Sequence, residues 1–243
     1  MTATYVYGLV KADAELPPDL DGLGPSGRVS TIAHEQIAAI VSDVPTDRPL
    51  GTRDDLLAHE RVLDAVAERS AVLPMRFPAV VEAEGVVSEL LAPHQEQFVD
   101  ALARLNGLVQ FTVKGRYEQE PVLREIAESD REIMALRDRV RDLPEDAAYY
   151  DRIRLGELVV TALQQLRDEE GRRVLERLQP FAADISPRRL AEPEEVVNAA
   201  FLVARDHVEQ FDHAVEEVAR DLAGRVHFRL VGPLAPYDFV PEG

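Results

Sequence analysis

The chain has 243 residues, 46% hydrophobic and 30% charged, which suits a folded protein of one large domain or two smaller ones. It has no cysteine, which excludes disulfides, thiolate metal sites and a cysteine nucleophile. A formal net charge of -18 disfavours nucleic acid and anionic membranes as partners.

The charge is even along the chain: residues 1–106 carry 8 basic and 17 acidic side chains, residues 107–243 carry 19 and 28, so each part has a net charge of -9. The densest basic stretch, Arg137–Arg141, is interrupted by Asp138 and followed by Asp142, and reads as a solvated helix face. No apolar run is long enough to span a bilayer, and the N-terminus lacks a basic region followed by a long apolar core. A cytoplasmic protein is expected.

The first predicted strand is Thr4–Lys11, TYVYGLVK, which contains Gly8. A loop dense in Pro, Gly and Asp follows over Ala12–Gly27, then short strands at Arg28–Thr31 and Ala38–Val44. Thr52 with Asp55 three residues on resembles a capping box, and Leu56, His59, Leu63 and Val66 then repeat at helical spacing. Ala71–Val80 interrupts the helical pattern, which resumes from about Glu84 to Leu105 with a break at Pro93.

Beyond Asn106-Gly107, Val109, Phe111 and Val113 alternate with polar residues in a half-buried strand over Leu108–Arg116. Charged helical sequence spans about Val122–Leu143. A longer amphipathic helix starts near Tyr150, carries Leu155, Leu158, Val159, Ala162, Leu163 and Leu166 on one stripe, and ends at Pro180. Strands are predicted at Ala182–Ser186 and Val196–Val203, a helix at Asp206–Leu222 and a last strand at Arg225–Val231, leaving the sheet at Gly232-Pro233.

This order predicts an α+β protein of two domains, with a boundary near residue 106. Residues 1–106 form a small N-terminal α+β domain. Residues 107–243 form a ferredoxin-like α+β domain with extra helices.

No catalytic, cofactor or metal residues stand out. Gly22-Leu-Gly24-Pro-Ser-Gly27 matches G-x-G-x-x-G in letters, but prolines surround it and β-type sequence follows, so a loop is expected rather than a phosphate cradle. His59-Glu60 opens like a zinc-protease helix, yet Leu63 stands where the second histidine is needed. It reads as a helix-face histidine near a cap or a partner. His207 and His213 lie on different faces of one helix. With 45 acidic residues, carboxylate pairs arise by chance and identify no site. Ser70 and Ser88 lack a nucleophile-elbow context.

The unusual residues are apolar and linked to proline. In Ala71–Val80, AVLPMRFPAV, Pro74 and Pro78 remove backbone donors and bias Leu73 and Phe77 to extended backbone. The result is a stiff segment centred on Arg76. Two readings stay open: an edge strand tucked into the core with Arg76 paired to a carboxylate, and exposed side chains that contact a partner. In Val231–Phe239, Leu234, Tyr237 and Phe239 either cover the core or face a partner.

With these motifs in order, TYVYGLV at Thr4–Val10, His59–Leu63 leading into AVLPMRFPAV, and LVGPLAPYDFV at Leu230–Val240, the sequence resembles the gas vesicle accessory proteins of the F/L family, GvpF/GvpL, over essentially its whole length. The loop at Leu16–Gly27 looks like a variable insertion. The resemblance implies function by assembly and no enzymatic activity: a minor vesicle component, or a chaperone-like factor that handles the small hydrophobic gas vesicle shell protein together with other accessory proteins. It implies location in the cytoplasm with gas vesicles. It also implies a two-domain structure with a ferredoxin-like second domain. Arg76, Phe77, Tyr237 and Phe239 are the expected partner-binding residues. The competing expectations are a small-molecule-binding regulatory protein, which needs a compact pocket, and an enzyme, which needs a buried pair of acids with shifted pKa values in one cleft.

Overall fold

The structure is a computed structural model that describes residues 3–23, 27–44, 49–144 and 147–240. It is a mixed helix and sheet fold in two compact units. The first comprises Met1–Phe111, Leu202–Asp206 and Val231–Gly243, and the second Thr112–Phe201 and His207–Leu230. This differs from a single cut near residue 106, because three strands each contribute residues to both units.

The first unit is built on β1 (Ala3–Lys11), β2 (Ser30–His34), β3 (Ile37–Asp43), β4 (Leu73–Pro74) and β5 (Val80–Glu82). The sheet order is β2-β3-β1-β4, and β5 also pairs with β1. Strand β3 alternates cleanly. Ala38 and Ile40 face one apolar cluster while Ile37, Ala39 and Val41 face another. Strand β1 has one extra residue where its register against β3 slips between Val6 and Gly8. The bulge resets the alternation, so Tyr5, Tyr7 and Val10 share one face while Val6 and Leu9 share the other.

Both faces of this sheet are covered. On the tyrosine face lies α1 (Arg53–Ala67), which buries Ala58, Val62, Leu63, Val66 and Ala67. The predicted capping box at Thr52 and Asp55 is present. The predicted stripe is shifted: Leu56 is 41% exposed, while Val62 and Ala58 face the core. On the other face lie a π turn at Val86–Leu91 and α2 (Gln95–Arg104), separated by a short turn containing Pro93.

The second unit carries α3 (Gln119–Ser129), α4 (Arg131–Asp142), α5 (Tyr149–Leu178) and α6 (Val208–Asp221). Its strands belong to a sheet of β6 (Leu108–Tyr117), β7 (Asp184–Pro187), β8 (Glu195–Ala204) and β9 (Val226–Leu234), in the order β7-β8-β6-β9. The charged region expected as one helical stretch is two helices. Asp130 ends the first and caps the second, its carboxylate accepting from the Glu132 and Ile133 amides at 2.7 and 3.1 Å. Strand β9 does not stop at Gly232-Pro233 but continues to Leu234. Strand β2 begins at Ser30, while Arg28 forms a bridge with Asp21. Among the described residues no helix is long and apolar enough to cross a membrane.

Tyr117, Val122, Ile126, Ile133, Val196 and Val226 form the core of the second unit. Beside them lies a polar knot. Tyr117 donates to Glu170 at 2.7 Å, and the Arg225 guanidinium meets Glu170 at 2.6 Å and Glu125 at 3.0 Å. Phe201 and Phe211 pack at 5.3 Å between ring centres.

Candidate functional site

The proline-bracketed segment runs along the edge of β1. Leu73 and Pro74 stand opposite Leu9 and Gly8, and the Met75 amide donates to the Tyr7 carbonyl at 2.9 Å. The ladder resumes where Val6 donates to the Ala79 carbonyl at 2.9 Å, followed by Tyr5 opposite Val80. Arg76, Phe77 and Pro78 therefore have no counterparts on β1 and loop outward. Gly8 makes the close approach possible: a Cβ there would lie 2.7 Å from the Leu73 carbonyl oxygen and 2.8 Å from Leu63 Cδ2.

The loop sends its side chains in two directions. Phe77 turns into the first core cluster, 5.7 Å from the His59 ring and 6.3 Å from Tyr5 between ring centres. Arg76 is exposed and lines an open groove of about 300 Å³. Leu73, Pro74 and Met75 form one wall of this groove, and Phe98 and Ala101 of α2 form another. Val240 and Gln97 complete it. Pro74 has no amide proton, so this rim offers apolar side chains more than ladder hydrogen bonds.

His59 is the hub of the aromatic cluster. Its Nε2 faces the Met75 carbonyl at 3.2 Å, an acceptor only, so Nε2 carries the proton and Nδ1 accepts from the Tyr5 hydroxyl at 2.9 Å. Burial lowers its pKa from 6.5 to about 4. Burial also raises the Tyr5 phenol above its ordinary range. Tyr7 accepts from the Leu23 amide at 2.7 Å and donates to Ser42 Oγ at 2.9 Å. This is a neutral, satisfied core network.

The C-terminal segment is pinned to the same unit. Asp64 accepts from the Ala235 amide at 2.8 Å, and burial raises its carboxyl pKa, with Glu60 and Glu68 adding to the rise against that hydrogen bond. Gln110 donates to Asp238 at 2.7 Å and accepts from the Asp238 amide at 3.1 Å. Tyr237 is held 6.2 Å from His59 between ring centres, and burial raises its phenol pKa. Phe239 packs half-buried on the other cluster.

Of the four expected partner-binding residues, Phe77 and Tyr237 thus meet around His59, half-buried. Phe239 lies on the opposite side of the sheet, and Arg76 stands exposed at the groove. The sequence reading missed Phe98 and Ala101, whose α2 spacing marks them only as core, and missed Asp64 and Gln110, which nothing distinguishes from other polar residues in one sequence. The glycine-rich loop is closed by a Gly22 amide to Gly27 carbonyl bond at 2.8 Å and leads into β2, while Gly24, Pro25 and Ser26 lie outside the described residues. His207 precedes α6, and His213 stands exposed 3.8 Å from Glu216. Among the described residues no three His, Asp or Glu side chains are placed to hold a metal ion.

The family model described as gas vesicle synthesis protein GvpL/GvpF matches residues 3–241. Gas vesicle protein F of Streptomyces sp. (strain CB03234) is 32% identical over 98% of this chain and 99% of its own. Gas vesicle protein L of the same strain is 28% identical over 97% of this chain and 91% of its own. In fold, the crystal structure of the gas vesicle protein GvpF from Anabaena sp. PCC7120 superimposes with a TM-score of 0.86 at 24% identity, covering all of both chains. That of GvpF from Microcystis aeruginosa gives 0.78 at 23%, again over all of both chains.

Proposed function

The chain belongs to the gas vesicle synthesis protein GvpL/GvpF family, and we propose that it serves gas vesicle assembly by binding the small hydrophobic shell protein and other accessory proteins rather than by catalysis. The observation that carries this reading is the open apolar groove beside Arg76. A shell subunit awaiting assembly needs its apolar surface shielded from water, and an acidic helper keeps the pair dispersed. The groove supplies apolar contact, and the net charge of -18 supplies dispersal. Arg76 is the cation at its rim and orients an acidic group of the incoming chain. Phe77, Tyr237 and Phe239 act behind it, holding the loop and the C-terminal segment that frame the groove.

In this reading the protein works in the cytoplasm, associated with gas vesicles. The second unit is a ferredoxin-like domain, a reading supported by the sheet order β7-β8-β6-β9 and the strand, helices, strand, strand, helix, strand sequence.

The test is co-expression with the small shell protein, followed by co-purification and a solubility assay. Retention of soluble shell protein is expected, and Arg76→Glu should lose it. Failure to retain the shell protein or any other vesicle accessory protein overturns the reading. A ligand-dependent thermal shift without such retention points instead to a small-molecule regulator, for which the groove volume is at the lower bound of ordinary ligand pockets.

A further inference from the structure

Strands β6 and β9 sort their side chains between two faces around Gly115. A Cβ there would lie 2.9 Å from the Val197 side chain, 3.1 Å from Phe228 and 3.2 Å from Val226, so these residues share a face. Val226 and Phe228 pack in the cluster that includes Val122, Ile126 and Leu155, which makes this the helix-covered face. By alternation Lys114, Arg116, His227 and Arg229 point the other way, and all four are exposed.

The register gathers these four side chains into one array. The Glu118 amide donates to the Arg225 carbonyl at 2.7 Å, and a Cβ at Gly232 would meet the Phe111 ring at 2.6 Å. The strands therefore run antiparallel, with Lys114 opposite Arg229 and Arg116 opposite His227. Opposed side chains stand about 5 Å apart, and successive ones on one face of a strand about 7 Å. Like charges directly opposite each other destabilise a sheet, so the fold gains nothing from setting Lys114 against Arg229. Composition runs against the array too, since the chain has 27 basic and 45 acidic side chains. Exposed arginines on the helices of this unit meet carboxylates, as Arg124 meets Glu120 and Arg172 meets Glu176. Here Arg116 reaches Glu194 at 3.9 Å, and among the described residues neither Lys114 nor Arg229 is ion-paired.

An anionic partner supplies the charge that the fold does not. Single-stranded RNA on a sheet is held by bases stacked on several aromatic rings, whereas the Phe228 ring is turned to the helices. A long polyphosphate also meets the field of a chain at -18. An acidic protein segment carries fewer charges, and when extended it sets alternate carboxylates about 7 Å apart, the spacing of Lys114 and Arg116. We infer that the open face of β6 and β9 is a docking surface for an acidic segment of a partner protein, with Lys114 and Arg229 as its central contacts. These residues belong to the second unit alone, whereas the groove beside Arg76 is lined by the first.

The test uses the full chain and a labelled oligoglutamate peptide, read by fluorescence anisotropy at moderate ionic strength. Saturable binding is expected, weakening as salt rises. Lys114→Glu and Arg229→Glu, made singly, should each lower affinity about fivefold or more. Each places opposite charges across the strands, so it should melt no lower than the native chain, which separates lost binding from lost folding. The charge-matched changes Arg124→Glu and Arg172→Glu, on helices of the same unit, should lower affinity less than about twofold. Arg76→Glu should do no more than these, so peptide binding and retention of the shell protein can fail independently. An oligouridylate of the same length is the nucleic-acid control. Absence of saturable peptide binding overturns the inference. Equal losses in the helix variants overturn it as well, and so does oligouridylate binding as tight as that of the peptide.

Discussion

The Tyr5 hydroxyl and the His59 ring, 54 residues apart in sequence, share a 2.9 Å hydrogen bond that joins the first strand to the first helix. The bond requires a neutral imidazole, since a doubly protonated ring has no acceptor. The same ring fixes the loop through Met75, so one buried histidine ties together β1, α1 and the start of the Arg76 loop.

That arrangement predicts a pH dependence. The folded pKa of about 4 lies below the ordinary 6.5, so on acidification the unfolded chain takes up the proton first. The contribution of the neutral ring is complete above pH 6.5 and is lost progressively as pH falls to 4. The span corresponds to roughly 3 kcal/mol. Urea titrations at half-unit pH steps should show native stability falling more steeply across this window than that of His59→Phe. The variant is less stable at pH 7, by about 1–3 kcal/mol, because the Tyr5 hydroxyl loses its acceptor. Equal slopes would show that His59 does not titrate with folding.

The start of α1 offers a graded pair of changes. Thr52 accepts from the Asp55 amide at 3.2 Å, so Thr52→Ala should cost about 1 kcal/mol. Asp55 is 1% exposed and accepts from both the Gly51 and Thr52 amides at 3.0 Å. Asp55→Ala removes both acceptor bonds, so it should cost more, about 2–3 kcal/mol. Chemical denaturation midpoints read the order directly, and a larger loss at Thr52 would contradict it.

Periodicity and punctuation made much of this fold legible. Alternation marked β6, the Thr52 and Asp55 pair marked the start of α1, and Pro93 and Pro180 marked real breaks. Three kinds of information were absent from local pattern. The bulge at Tyr7 depends on pairing with β3, so the two faces of β1 are not separable from its own residues. The Arg76 loop is defined by β1 residues that it fails to pair with. The partners of Gln110 and Asp64 lie 128 and 171 residues away, and one sequence gives no sign of them. The same distance explains why Phe77 and Tyr237, both noted as proline-linked aromatics, meet only in three dimensions.

Gly8 links the fold to the groove. An alanine there would press on the Leu73 carbonyl and the Leu63 side chain, both held by packing. Gly8→Ala should therefore cost about 1–3 kcal/mol and should displace β4, one wall of the groove. Retention of the shell protein should fall more than with Thr52→Ala, even where the two variants melt at similar temperatures. If both retain it equally, the β4 wall is not part of the contact.

Neighbouring loop residues should separate binding from folding. Arg76 is exposed, and Arg76→Glu should cost about 1 kcal/mol or less while abolishing retention of the shell protein, because it reverses the charge at the groove rim. Phe77 is half-buried against Tyr5 and His59, so Phe77→Ala should cost about 2 kcal/mol or more. Its effect on retention should follow that instability, recovering at lower temperature. Gln97→Trp should fill the groove and block retention with little effect on stability, since Gln97 is exposed on the groove lining. Three folded variants would then divide the site. If Arg76→Glu and Gln97→Trp retain the shell protein as the native chain does, the groove is not its contact surface, whatever Phe77→Ala does.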